Sequence, residues 1–133
     1  MNDNGMISIP VSVGDLFDRI SVLDVKKNKI KDESKLFHIK NEYKLLKPMC
    51  EDLISFYPEL KQMLIEITEV NSNLWDILEL QRVKEKSGEL DQKFIDLSIS
   101  VYKENDKRFF LKNKINKITS SEIEEQKYYT VGQ

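Results

Sequence analysis

The chain has one cysteine, Cys50, so it cannot close a disulfide on itself. It has one histidine, His38, which leaves no pair of imidazoles for a metal site. Four glycines and three prolines among 133 residues leave few tight turns, and no glycine-rich phosphate loop is present. No run of roughly 18 apolar residues occurs, so no membrane-spanning helix is expected. No secretory leader is seen either, which makes a reducing cytoplasm the expected location. Charge of neither sign dominates. The 21 Lys and Arg are interleaved with 23 Asp and Glu, a balance that leaves no electrostatic footprint for nucleic acid. No cofactor, metal, nucleic-acid or membrane partner is therefore expected from composition or motif.

What remains is helical material rich in Lys, Glu, Leu and Ile. After a polar and flexible stretch, 1–8, Ser12-Val13-Gly14-Asp15 has the form of a capping box. A first helix to about Lys31 follows, with Val13, Leu16, Phe17, Ile20 and Leu23 on one arc. Asp32-Glu33-Ser34 makes a turn. A second helix carries Leu36, Ile39, Tyr43, Leu46, Cys50 and Leu53 on one side, with Pro48 placed to kink or break it. Pro58 suits the first position of a third helix running to Lys86, where Ser87-Gly88 ends it. A fourth helix from Leu90 or Asp91 ends near Thr119, and 120–133 forms a tail. The expected fold is an all-α antiparallel bundle of about four helices, with 9–119 as the helical domain. Cys50, beside Met49, reads as a small buried hydrophobe, not a nucleophile.

Three of these helices carry polar residues on the arc that should face the core. With Phe94 at zero and a step of about 100° per residue, Phe94, Leu97, Val101, Tyr102, Phe109 and Ile115 define the apolar arc of the fourth helix. Ser98, Asn105, Arg108, Lys112 and Asn116 fall inside it. Asp24 and Lys27 do the same on the first helix, and Asn71 on the third. Burying such groups is costly unless each finds a partner. Arg108 and Lys112 lie four residues apart, where like charges repel unless an anion sits between them. That anion is either internal, with Asp24 as counter-ion, or a phosphate- or carboxylate-bearing ligand oriented by Asn71, Asn105 and Asn116. A buried network that fixes helix register is one alternative, and a homodimer or partner interface on this face is another. No catalytic residue can be assigned.

Two faint likenesses concern enzymes. Glu66, Glu69 and Asp96 resemble the helical acids of all-α nucleoside-triphosphate pyrophosphohydrolases, which would imply a Mg²⁺-dependent nucleotide hydrolase. Lys93, however, stands where a partner acid is wanted. Asp18 to Asp24 is similar to the first helix of the helical chorismate mutases, but Phe17 replaces the arginine that binds their substrate. A broader resemblance spans Ile9 to Tyr128. Its first block is Ile9-Pro10-Val11-Ser12-Val13-Gly14-Asp15-Leu16, Asp18-Arg19-Ile20-Ser21-Val22-Leu23 and Lys26. Further blocks are Asn71 with Leu74-Trp75-Asp76-Ile77 and Arg82, then Val101-Tyr102, Asn105-Asp106, Arg108, Lys112 and Ile115-Asn116. The last is Glu124-Glu125 with Tyr128. In these blocks the chain resembles a bacterial and phage family, domain-of-unknown-function family 6165. Leu78 and Gln126 depart from the pattern, which has an acid and a lysine there. The resemblance implies no reaction. It implies a context of surface-polysaccharide proteins and phage genomes, and its blocks contain Asn71, Asn105, Arg108, Lys112 and Asn116.

Overall fold

The computed structural model describes residues 5–123, 125 and 126. Four helices form: α1 (Val13–Lys29), α2 (Glu33–Phe56), α3 (Leu60–Lys86) and α4 (Gln92–Thr119). No strand occurs among the described residues. The all-α bundle expected from periodicity is what the chain adopts. Of the stretch expected to be flexible, 1–4 lies outside the described residues, and Gly5 to Ser12 carries no regular structure.

The starts of three helices follow from their caps. The Ser12 hydroxyl accepts from the Asp15 N–H, Asp32 from the Lys35 N–H and Asp91 from the Phe94 N–H. Each satisfies a donor that the first turn leaves without an intrahelical partner. α3 begins differently, with Glu59 helical and no side-chain cap. At the far ends Gly88 (φ 74°) follows α3, and Ser120 (φ 53°) turns α4 off in the left-handed region.

α2 runs unbroken through Pro48, which corrects the break expected there. Pro48 lies on the exposed side of the helix beside Lys44 and Lys47, so water can reach the carbonyl that the missing N–H leaves unpaired.

The helices do not form a symmetric square. α1 packs against each of the other three, and α3 and α4 pair along their length. α2 leans on α1, touches α3 only slightly and does not reach α4. The core gathers where α1 crosses the α3–α4 pair, around Phe17, Ile20, Ile67, Val70, Leu111 and Ile115, with Leu60 and Cys50 closing the α2 side. Burial, and then the charge of Glu51, push the Cys50 thiol up to about 11, so the thiolate needed for nucleophilic chemistry is disfavoured.

α1 and α4 meet at Gly14. A Cβ there would lie 2.5 Å from the Lys112 carbonyl oxygen and 3.0 Å from the Asn116 side-chain oxygen. Only the absent side chain permits this approach, which brings the first turn of α1 onto the last turns of α4.

Candidate functional site

Because α1 is covered from several directions, its buried surface is wider than its apolar arc. Gly14, Asp18, Ser21 and Val25 are buried as well as Phe17, Ile20 and Leu23. These four small or polar-leaning positions lie up to about 100° round the helix from Phe17, on the flank of its apolar arc. A polar network is built on that flank.

Asp18 is its centre. The residue is 6% exposed, and its carboxylate is fully engaged. Arg108 grips it bidentately, with Nε 2.8 Å from Oδ1 and Nη2 on Oδ2. The Asn71 amide donates to the same Oδ1 at 3.0 Å and to the Ser21 hydroxyl oxygen at 2.7 Å. The Ser21 hydroxyl donates in turn to the Asp18 backbone carbonyl at 2.6 Å. One carboxylate thus ties α1 to α3 and α4. A buried charge survives only with such satisfaction.

One turn further along α4, the Lys112 ammonium lies 2.9 Å from Asp15, 2.7 Å from Glu125 and 4.0 Å from Asp18. Burial alone would raise the Asp15 carboxyl. The hydrogen bond and charge of Lys112, with Ser12, nevertheless hold it below its ordinary value. For Lys112, burial works downward, but the Glu125 and Asp15 carboxylates win and raise it. Another turn on, Asn116 is 0% exposed and its Oδ1 accepts the Gly14 N–H at 2.7 Å. That bond fixes the amide orientation, and the Nδ2 donor finds no partner among the described residues.

Beside this column lies a small polar hollow of about 130 Å³, lined by Asn105, Arg108, Phe109, Lys112 and Glu125. The charges do not balance. Arg108 and Lys112 meet Asp15, Asp18 and Glu125, two cations against three carboxylates.

The structure brings together Asn71, Arg108, Lys112 and Asn116, as helical phase implies, and Asn105 borders the hollow. Asp24 and Lys27 do not join them. Asp24 makes no ion pair among the described residues, and its backbone carbonyl accepts from Asn28. Lys27 turns to α2 and sits over the Tyr43 ring, 3.9 Å from its centroid. The counter-ion assignment therefore moves from Asp24 to Asp18. Three residues of the site, Asp15, Asp18 and Glu125, were not picked out by helical phase, although all lie in blocks that carry the family resemblance. Ser98 and Tyr102, placed on the inner arc of α4, are exposed instead.

Of the acids resembling a pyrophosphohydrolase, Glu66 and Glu69 border a separate groove between α3 and α4, whereas Asp96 is not part of it and accepts from Gln92. Among the described residues no three His, Cys, Asp or Glu side chains are grouped so as to hold a metal ion. No helix there is long and apolar enough to cross a membrane.

Fold and site together define an all-α protein whose first, third and last helices are joined through a buried carboxylate. The chain belongs to a family of unknown function, DUF6165, whose model matches residues 7–132. No curated protein and no solved structure matches it.

Proposed function

We propose that this chain is a small helical binding or accessory module, not an enzyme, and that its ligand presents a carboxylate or phosphate to Lys112 in the polar hollow. The observation that supports this reading is the seating of Glu125. A carboxylate from beyond the end of α4 already lies 2.7 Å from the Lys112 ammonium, in a hollow bordered by the Arg108 guanidinium and the Asn105 amide. The position therefore suits an oxyanion in both charge and size. Asp15 and Asp18 already match the two cations, so an incoming anion takes the place of Glu125 and does not add to it.

Arg108 is a poor probe of this reading, because its loss strands Asp18. Glu125→Gln and Asn105→Ala leave the Asp18 contacts intact. Thermal unfolding would be followed with inorganic phosphate, nucleotides, sugar nucleotides and dicarboxylates, since a ligand of the folded state alone raises its stability. Sugar nucleotides come first in view of the polysaccharide context implied by the family. The expected result is binding that Glu125→Gln strengthens at least threefold and Asn105→Ala weakens at least threefold. No shift with any of these in either the parent or Glu125→Gln would end the reading and leave a purely structural network.

A second reading, a partner-binding adaptor or homodimer, is favoured by a different observation. No residue from Trp75 to Phe110 is buried, and Leu80, Val83, Ile95 and Ile99 stand exposed there. A native mass equal to one chain across micromolar concentrations would remove the dimer.

A further inference from the structure

On another face of the α3–α4 pair lies a groove of about 560 Å³, within the usual range of roughly 300–1,000 Å³ for small-molecule sites. It shares no lining residue with the polar hollow. Val70 and Leu111, both buried, give it an apolar floor, and the largely exposed Phe110 ring adds an aromatic wall. The charged lining is mostly acidic. Glu66, Glu69, Glu104 and Asp106 stand against a single cation, Lys107.

That cation is already committed. Lys107 donates to Glu104 Oε1 at 2.9 Å. Glu66, Glu69 and Asp106 make no ion pair among the described residues. Glu104 is the most enclosed of the four. Its side chain is 13% exposed, and its Oε2 is buried with no hydrogen-bond donor. A buried carboxylate oxygen without a donor is destabilising, and a cation carried into the groove would relieve it. Among the described residues no three of these acids are grouped to share one metal ion. Separated carboxylates over an apolar floor suit a cation that also has apolar surface to bury.

We propose that this groove binds an organic ammonium ion on an apolar stem, the stem lying on Val70, Leu111 and Phe110 and the ammonium meeting Glu104 and its acidic neighbours. The proposal is independent of the anion reading for the hollow.

The test uses the full chain and three probes of one shape: phenethylamine, phenethyl alcohol and phenylacetic acid. Backbone amide shifts are followed by NMR at pH 7. The amine should perturb residues 66–73 and 104–111 saturably, and bind at least tenfold tighter than the alcohol or the acid. Glu104→Gln, which keeps shape and removes charge, should weaken the amine at least fivefold. Glu66→Gln/Glu69→Gln, at the groove rim, should weaken it as well without needing any change in the core. Lys107→Met should tighten it, by removing the competing cation. Equal binding of amine and alcohol, perturbations that map elsewhere, or no saturable binding of the amine would each overturn the proposal.

Discussion

The α3–α4 pair is one continuous helical hairpin with two different halves. Where α1 lies across it, Asn71, Leu74, Leu111, Lys112, Ile115 and Asn116 are buried, and the charges are enclosed. Towards the turn that joins them, from Ile77 to Lys107, no residue is buried. There the helices are held by contacts such as Gln81 with Ser98 and Lys84 with Asp91. The reason is length. α1 has 17 residues against 27 and 28 in α3 and α4, so the pair outruns its cover by ten or so residues, about 15 Å of helix. The same chemical device thus appears in two settings. Lys112 with Asp15 and Lys84 with Asp91 both raise their lysine and lower their aspartate. Only the first pair is joined to a buried carboxylate.

The sharpest way to break this comparison is to remove one cation from each half. Arg108→Ala should cost about 3–5 kcal/mol, because Asp18 is left charged and buried without its fork. Lys84→Ala should leave the denaturation midpoint nearly unchanged, since its partner Asp91 is half-exposed and the pair is screened by water. Equal effects of the two in urea denaturation would show that the α1 half is no more cohesive than the outlying half.

A smaller effect is expected at the contact that lets α1 enclose its half. Gly14→Ala sets a methyl group 2.5 Å from the Lys112 carbonyl, and backbone cannot yield as a flexible side chain can. Overpacking of this kind typically costs about 1–3 kcal/mol. The loss should appear in hydrogen exchange as faster opening at Lys112 to Asn116, with the residues around Leu80 and Ile99 unaffected. Uniform acceleration over both halves would argue against a local wedge.

The smallest effect is in pH. Asp15 titrates lower when folded than unfolded, so its contribution is complete above the unfolded value, about 4, and is lost as pH falls through the folded one. Lys112→Met removes the main partner that holds it down. The variant should therefore lose less stability than the parent on acidification from pH 5 to pH 3, measured as the shift in urea midpoint. A steeper loss in the variant would place the acid sensitivity elsewhere.

Much of the fold was legible in the chain because its signals are local. Ser12, Asp32 and Asp91 are capping residues by chemistry alone, and the stripe from Leu60 through Leu74 states its period plainly. The site was legible on α4, where Arg108, Lys112 and Asn116 recur about every turn on a face that is buried in the structure. It was not legible on α1. Three neighbours cover that helix, so beside its apolar arc lies a second buried flank of Gly14, Asp18 and Ser21, which has no hydrophobic signature. Asp24 and Lys27 satisfied the phase rule, yet α4 does not receive them. Glu125 follows α4 and has no helical period to betray it. Pro48 was misleading because its cost depends on whether water reaches the carbonyl one turn back, which a sequence does not record.

The left-handed Ser120 turns the chain back along α4, and Glu125 reaches Lys112 from only five residues further on. From Thr119 back to Lys112 is about 10 Å of helix, and the intervening residues could span about 20 Å if extended. The tether is long enough to reach and short enough to keep its carboxylate close. On the anion-site proposal, Glu125 would act as a resident ligand at an effective concentration on the order of millimolar. A free anion at Lys112 would have to compete with it at every encounter. Weak binders at low abundance would then lose to Glu125, and the hollow would respond only to anions that are plentiful or bind well.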